Sequence, residues 1–136
     1  MPRRSALQKR TRQSAIVSRT ILVVLKELRQ AWHPREKNTG LIFQELLVAA
    51  ALQLLRERNR TPSSIMAIKQ LTGLPYRNTH ATVGRLLREH IIRKQGRGYV
   101  GNGTYLIARF DQRHFRRIVS TIIGAASELR QVEKNA

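Results

Sequence analysis

The fold of this chain is decided by residues 61–93, which read TPSSIMAIKQLTGLPYRNTHATVGRLLREHIIR. Thr61-Pro62 predicts a helix start, because a hydroxyl caps free backbone N–H groups and proline is favoured at the first helical position. Gly73 predicts the end of that helix, since glycine adopts the left-handed conformation that commonly follows a last turn. Pro75 predicts the start of a second short helix. Two short helices joined by a tight turn form a helix-turn-helix, which we expect over residues 61–90.

A β-hairpin is predicted directly after this motif, within residues 91–109. One extended stretch begins at Ile91 and another covers Thr104–Ala108. Glycines are frequent between them, and Asn102-Gly103 is a strong signal for a tight hairpin turn. We therefore expect the two strands to be joined there, with basic side chains along the hairpin.

Two long helices are predicted on either side of this central region. In residues 13–32 and 111–133 the apolar residues recur every three or four positions, so each helix carries one apolar stripe. Residues 39–58 are apolar almost all round, which is typical of a helix at the centre of a fold. Residues 1–12 are basic and predict a flexible arm, followed by a single domain over 13–136. The predicted fold class is mainly α with a small β-hairpin.

The composition points to a polyanionic partner. The chain has 136 residues, with 26 Lys and Arg against 8 Asp and Glu, which gives a net charge of +18. A folded domain with this charge repels itself, and it is typical of proteins that bind nucleic acid. Only 5% of the residues are aromatic, which argues against a surface that stacks single-stranded bases. The chain has no cysteine, and its apolar stretch Leu41–Leu55 is shorter than the ~20 residues of a membrane span.

Residues 65–93 resemble the DNA-reading part of winged-helix bacterial regulators. The resemblance is carried by Leu71-Thr72-Gly73-Leu74-Pro75, by Val83 and Leu86, and by Ile91-Ile92-Arg93. The turn is similar to that of the IclR type, whereas long helices on both sides of the motif are similar to the MarR type. The resemblance implies a winged helix-turn-helix flanked by N- and C-terminal dimerisation helices. His90 departs from the pattern, because such families usually have glycine at this position.

In a helix-turn-helix the second helix lies in the major groove, and its N-terminal residues contact base edges. Arginine pairs with guanine and asparagine with adenine, while alanine and threonine methyl groups contact the thymine methyl. The candidate base-reading residues are Tyr76, Arg77, Asn78, His80, Ala81 and Thr82. The candidate phosphate contacts are Thr61, Ser63, Ser64, Arg85 and Arg88. The candidate wing contacts to the minor groove are Lys94, Arg97 and Asn102.

The apolar stripes of the two long helices need a partner. They can pack on each other within one chain, or they can pair across a two-fold axis. We expect the second arrangement, because exposed apolar surfaces of this size are typical of interfaces between subunits. The predicted dimer-interface residues are Val17, Ile21, Val24, Leu28, Phe115, Ile122, Ala126 and Leu129.

The sequence gives no indication of catalysis. None of the histidines forms the i, i+4 pair of a helical metal site, and no cysteine is present to join them. The histidines are His33, His80, His90 and His114. The G-x-G-x-x-G pattern of residues 96–101 lies between predicted strands rather than before a helix, so it does not predict a dinucleotide site. We expect no enzyme activity, no metal and no cofactor.

The sequence therefore predicts a homodimeric transcriptional regulator that binds double-stranded DNA at a palindrome-like operator, in the cytoplasm at the nucleoid and without membrane contact. The resemblance to the MarR type also implies a small-molecule effector of unspecified identity. Two other classes fit the charge as well. One is a winged-helix protein that binds RNA or the ribosome, and the other is an architectural or plasmid replication and partition protein of low sequence specificity.

Overall fold

The computed structural model describes residues 2–32, 38–102 and 112–135. The chain divides into two compact units. We call Met1–Ala31 with Asp111–Ala136 the two-helix unit, and Trp32–Phe110 the central unit. The sequence predicted one domain over 13–136. That single domain stays a prediction.

The described part of the chain is mainly helical, with a small antiparallel sheet of two strands, as the predicted fold class states. In chain order the elements are α1 (Pro2–Trp32), α2 (Thr39–Glu57), α3 (Ile65–Thr72), α4 (Tyr76–Arg88), β1 (Ile92–Gln95), β2 (Gly98–Gly101) and α5 (Gln112–Lys134).

Helix α2 lies at the centre of the central unit, where it contacts α3, α4 and β2. Its side chains Ile42, Val48 and Leu55 are completely buried. The helix begins after Asn38, whose side-chain oxygen accepts a hydrogen bond from the backbone N–H of Leu41 at 3.1 Å. Among the described residues, α2 is the one helix whose length and apolar character meet the criteria for a membrane span. A buried core helix meets the same criteria.

Helix α3 begins later than the sequence predicted. Its N-cap is Ser64, whose hydroxyl accepts from the backbone N–H of Ala67 at 3.1 Å. The backbone of Ser63 forms an isolated bridge to Tyr99, with N–H to carbonyl distances of 2.9 and 2.8 Å. The prediction that Thr61-Pro62 starts the helix is therefore wrong. The backbone of Ser63 is already bonded to β2, and no signal within 61–64 indicates this distant partner.

Residues in the left-handed conformation follow both α3 and α4. Gly73 has φ +72° and its N–H donates to the carbonyl of Lys69, which confirms the predicted end of α3. His90 has φ +59° two residues after the last residue of α4. The carbonyl of His90 accepts from the side-chain amide of Asn102 at 3.1 Å. Position 90 is thus left-handed, although its residue carries a β-carbon.

The hairpin turns at Gly96-Arg97, where Gly96 has φ +59°. Strands β1 and β2 pair with Ile92 opposite Gly101 and Gln95 opposite Gly98. The two described strands therefore join at Gly96-Arg97 and not at Asn102-Gly103, of which Gly103 lies outside the described residues. Both dipeptides are turn signals, and Gly96 supplies the positive φ that the first central position of a II′ turn needs. The predicted strand over residues 104–108 lies outside the described residues.

Gly98 is required by the bridge between Ser63 and Tyr99. A β-carbon at this position would lie 2.9 Å from both the carbonyl carbon and the β-carbon of Pro62. This is closer than non-bonded carbon atoms approach in proteins. The missing side chain of Gly98 therefore allows the segment before α3 to lie against β2.

In the two-helix unit, α1 and α5 run antiparallel. Lys9 near the start of α1 forms an ion pair with Glu133 near the end of α5, at 3.0 Å. At the other end of the pair, Glu27 of α1 contacts both His114 and Arg117 of α5. The prediction of a flexible arm over residues 1–12 is wrong for the described residues, because α1 begins at Pro2. Its basic residues include Lys9, which has an acidic partner far away in the sequence.

Hydrogen bonds between the two helices lower the pKa of three carboxyl groups. The bond from His114 is the main cause at Glu27, followed by the contribution of Arg117. The pKa of Glu128 is lowered mainly by its bond to Arg19, and that of Glu133 mainly by its bond to Lys9. The contacts between α1 and α5 therefore favour the charged form of these carboxylates.

Candidate nucleic-acid interface

Helix α4 has one buried face and one outward stripe. The buried face consists of Thr79, Thr82, Val83 and Leu86. The outward stripe consists of Arg77, His80, Ala81, Gly84 and Arg88, in which every residue but the half-buried Gly84 is exposed. Successive members lie three, one, three and four positions apart, which keeps the stripe on one side of the helix. It contains two arginines and no acidic residue.

Four of the six predicted base-reading residues are exposed: Tyr76, Arg77, His80 and Ala81. The rings of Tyr76 and His80 are close neighbours, with their centroids 6.1 Å apart. Asn78 is half-buried at the flank of the stripe. The first two turns of α4 thus present polar side chains to solvent, where the sequence predicted contact with bases.

Thr82 is a core residue, which corrects the prediction that it reads bases. Its exposure is 0%. Its hydroxyl donates to Oε1 of Gln44 at 3.3 Å and accepts from Nη2 of Arg85 at 3.1 Å. Thr82 follows Thr79 by three residues and therefore lies on the buried face. The buried Thr82 hydroxyl is satisfied by Gln44 and Arg85, and the sequence around Thr82 does not indicate the contact with Gln44.

Arg85 was predicted to contact phosphate, but its side chain is directed to the core and is only 22% exposed. Its Nε lies 3.6 Å from Oε1 of Glu45, and the Glu45 carboxylate also accepts from the indole N–H of Trp32 at 2.9 Å. This cluster holds α4 against α2, and the phosphate contact of Arg85 stays a prediction. Sequence reasoning missed the cluster, although an acidic residue within the apolar α2 was its signal.

Two of the three predicted phosphate contacts at the start of α3 are exposed, namely Thr61 and Ser64. Ser63 is not, because it is 1% exposed and its hydroxyl donates to the carbonyl of Arg60 at 3.0 Å. The prediction for Ser63 is therefore wrong. Further along, Arg88 is exposed at the end of the outward stripe, as a phosphate contact requires.

The hairpin presents cations to solvent. Lys94 and Arg97 are exposed as predicted, and Arg93 is a further exposed cation that the sequence analysis did not assign to the site. In β1 Ile92 is buried, and the three residues that follow it, Arg93 included, are exposed. Asn102 is half-buried and its amide donates to the carbonyl of His90, so it braces the base of the hairpin. The predicted wing contact of Asn102 stays a prediction.

The two-helix unit has one apolar face. The polar contacts between the helices place Ile16, Glu27, Ile118 and Ala125 on the sides of α1 and α5 that face each other. The apolar stripes lie about 100° around each helix from these sides. Because the helices are antiparallel, both stripes come to the same side of the pair. We define the apolar face as Val17, Ile21, Val24, Leu28, Phe115, Val119, Ile122 and Ala126.

Most of the apolar face is exposed in the single chain. Val17 is 45% exposed, Ile122 is 51% exposed and Phe115 is 59% exposed, while Val24 and Leu28 are half-buried. Val119 was missed by the sequence analysis, and the predicted Leu129 is half-buried beside this face. The helices pair within one chain through polar contacts, while their apolar stripes stay largely exposed, so the pairing of these stripes across a two-fold axis stays a prediction. The stripes themselves remain available to a partner.

Three of the four histidines belong to the described residues. His80 is on the outward stripe, His90 follows α4 and His114 contacts Glu27, whereas His33 lies outside the described residues. Within residues 2–32, 38–102 and 112–135, no three His, Cys, Asp or Glu side chains are grouped to hold a metal ion.

No protein-family model, no curated protein and no solved structure matches this chain. The assignment of a function therefore depends on the geometry of the surfaces described above.

Proposed function

We propose that the central unit is a winged helix-turn-helix domain, and that the protein is a sequence-specific transcriptional regulator that binds double-stranded DNA as a homodimer. The observation that carries this proposal is the acid-free outward stripe of α4, in the unit whose exposed hairpin carries three cations. The hairpin cations are Arg93, Lys94 and Arg97.

The order and pairing of the elements support the winged arrangement. Helix α2 is followed by the bridging residue Ser63, by the two helices α3 and α4, and by the hairpin. Ser63 pairs with Tyr99 in the second strand, so the segment before α3 and the hairpin are held together. Contacts of α4 with both α2 and β1 then fix the helix relative to the hairpin.

The dimensions of α4 fit the major groove. An α-helix with its side chains is about 10–12 Å wide, and the groove is about 12 Å wide. Arg77 is the second residue of α4, where the side chains of a recognition helix contact base edges. Arg88 lies eleven positions further along the stripe, about 16 Å along the helix axis, where it is placed for a phosphate.

The test compares Arg77→Ala with Lys26→Ala, which removes one charge from an exposed position of the two-helix unit. Binding is measured by fluorescence anisotropy on a duplex selected from a random pool, and on variants of that duplex with one base pair changed. Arg77→Ala is expected to weaken binding to the selected duplex by about 1–3 kcal/mol and to remove the preference at one base pair. Lys26→Ala should keep every preference. An unchanged preference for Arg77→Ala would refute the assignment of α4 as the reading helix.

We propose further that the apolar face of the two-helix unit binds the same face of a second copy. The face has no charged member. Each of the two helices contributes one apolar stripe to it, so two copies can bury their faces against each other in a four-helix arrangement. The register of α1 and α5 brings Ile21 level with Ile122, which places the centre of the face at the middle of the helix pair. Two copies related in this way present two α4 helices to a palindrome-like operator.

The dimer is tested by the mass of Ile122→Lys in solution, measured by light scattering after size exclusion. Ser120→Lys adds the same side chain at an exposed position outside the apolar face. The wild type and Ser120→Lys are expected to be dimers, and Ile122→Lys a monomer, because a charge in a buried apolar interface is strongly unfavourable. A dimer of unchanged affinity for Ile122→Lys would contradict the proposal.

A further inference from the structure

Gly84 lies in the interior of α4, where a glycine is unfavourable relative to alanine. Its φ is not in the left-handed region, since the positive-φ glycines of the described chain are Gly73 and Gly96. A β-carbon built at Gly84 would meet, among the described residues, the Nη1 atom of Arg88 at 3.7 Å. This is an ordinary contact with the end of a flexible side chain. Neither the backbone nor the packing of the chain therefore requires glycine at this position.

The missing side chain of Gly84 affects the outward stripe, because Gly84 is one of its members. Gly84 lies between Arg77 and Arg88 on the stripe, beside Ala81. In the middle of the stripe Ala81 and Gly84 have almost no side-chain volume, the His80 ring lies to one side of them, and each end has an arginine. A helix fills the width of the major groove nearly completely, so the side that enters deepest determines how near its axis comes to the base pairs.

We infer that Gly84 is a close-approach position, at which the backbone of α4 lies directly against the base edges of duplex DNA. This inference rests on the proposed function and adds a positioning residue to it. Gly84 contributes no hydrogen bond through a side chain. Its missing side chain lets the helix lie deeper in the groove, so that Arg77 reaches a base edge while Arg88 reaches a phosphate.

The inference predicts effects of opposite sign on stability and on binding. Gly84→Ala should raise the midpoint of thermal unfolding by about 3–5 °C, because alanine is the better helix former. The same change should weaken binding to the selected duplex about 3–10-fold, and Gly84→Leu should weaken it by 100-fold or more. Non-specific binding to a scrambled duplex should change much less, since phosphate contacts tolerate a helix that is held further from the bases.

Gly124 provides a matched control. It is an exposed interior glycine of α5, and nothing described lies within 4 Å of a β-carbon built there. Gly124→Ala should raise the unfolding midpoint by a similar amount and leave the affinity for DNA unchanged. The comparison therefore separates the effect of alanine on helix stability from its effect on how closely α4 approaches the base pairs.

The experiment measures unfolding by circular dichroism and binding by anisotropy for the full chain and these variants. The inference is supported if Gly84→Ala raises the unfolding midpoint and weakens DNA binding, while Gly124→Ala leaves DNA binding unchanged. Unchanged binding for both Gly84 variants overturns it and leaves the proposed function intact. Equal weakening by Gly124→Ala overturns it as well. A wild type that binds no duplex refutes the proposed function and the inference together.

Discussion

The Glu45→Ala substitution tests the internal support of α4. Glu45 is 4% exposed, and its carboxylate accepts from the indole of Trp32 at 2.9 Å while it lies 3.6 Å from Nε of Arg85. Its removal leaves the indole N–H without this acceptor, at a cost of about 1–3 kcal/mol. It also leaves a mostly buried guanidinium without its counter-charge. Breaking a fully buried ion pair costs about 3–5 kcal/mol. Because Arg85 is partly exposed, we expect the loss of this pair to cost about 3 kcal/mol or less.

We therefore expect Glu45→Ala to lower the free energy of unfolding by about 3 kcal/mol, since the two effects overlap. This is a large part of the roughly 5–15 kcal/mol that stabilises a typical domain. Glu45→Gln retains a carbonyl oxygen that accepts from Trp32, so it should cost about half as much.

The assay is urea unfolding followed by far-ultraviolet circular dichroism and by the emission of Trp32, the one tryptophan of the chain. With a slope of about 2 kcal/mol per molar urea, the midpoint for Glu45→Ala should fall by about 1.5 M. Glu57→Ala is the control, because Glu57 is an exposed residue of the same helix and its removal should cost less than about 0.5 kcal/mol. A midpoint for Glu45→Ala equal to that of the control would refute this description of the buried cluster.

Three further predictions concern the backbone and the two-helix unit. His90→Gly should raise the stability by about 1 kcal/mol in chemical unfolding, because it relieves a left-handed residue that carries a β-carbon; a loss of stability would contradict this. Gly98→Ala should lower it by about 1–3 kcal/mol, because the new β-carbon collides with backbone; full stability would show that the bridge segment moves aside. The lowered pKa values of Glu27, Glu128 and Glu133 mean that their stabilising contribution is complete above their ordinary pKa of 4.5 and is lost as the pH falls through the lowered values. Helix content measured between pH 6 and pH 2 should therefore fall at the acidic end, and a triple Gln variant should lose this dependence.

Local signals predicted the parts of the fold that depend on neighbouring residues. Gly73 ends α3 where the sequence placed the end, because a left-handed cap is a local property. The start of α3 was not predictable in the same way, since the bridge from Ser63 to Tyr99 joins residues 36 positions apart. The hairpin turn was misplaced because two glycine-containing signals competed, and only the pairing of β1 with β2 selects Gly96-Arg97.

In the candidate site, too, local signals predicted some features, whereas others depend on residues distant in the sequence. The helical period of α4 correctly placed Arg77, His80 and Ala81 at the surface, because their spacing alone sets their side of the helix. Thr82 and Arg85 were assigned to DNA on residue type, yet both have partners on α2 that the period of α4 does not reveal. Residue type predicts what a side chain is able to bind, whereas the neighbouring helix determines whether it is free to do so.

The measurement that tests the central claim most directly is selection from a pool of random duplex DNA at about 150 mM salt, with a pool of structured RNA bound in parallel. We predict enrichment of an inverted repeat whose half-sites lie about one helical turn apart, since a symmetric pair of α4 helices reads two such half-sites. Preferential enrichment of RNA, or tight binding to duplex DNA with no enriched motif, would contradict the claim that this protein is a dimeric, sequence-specific regulator.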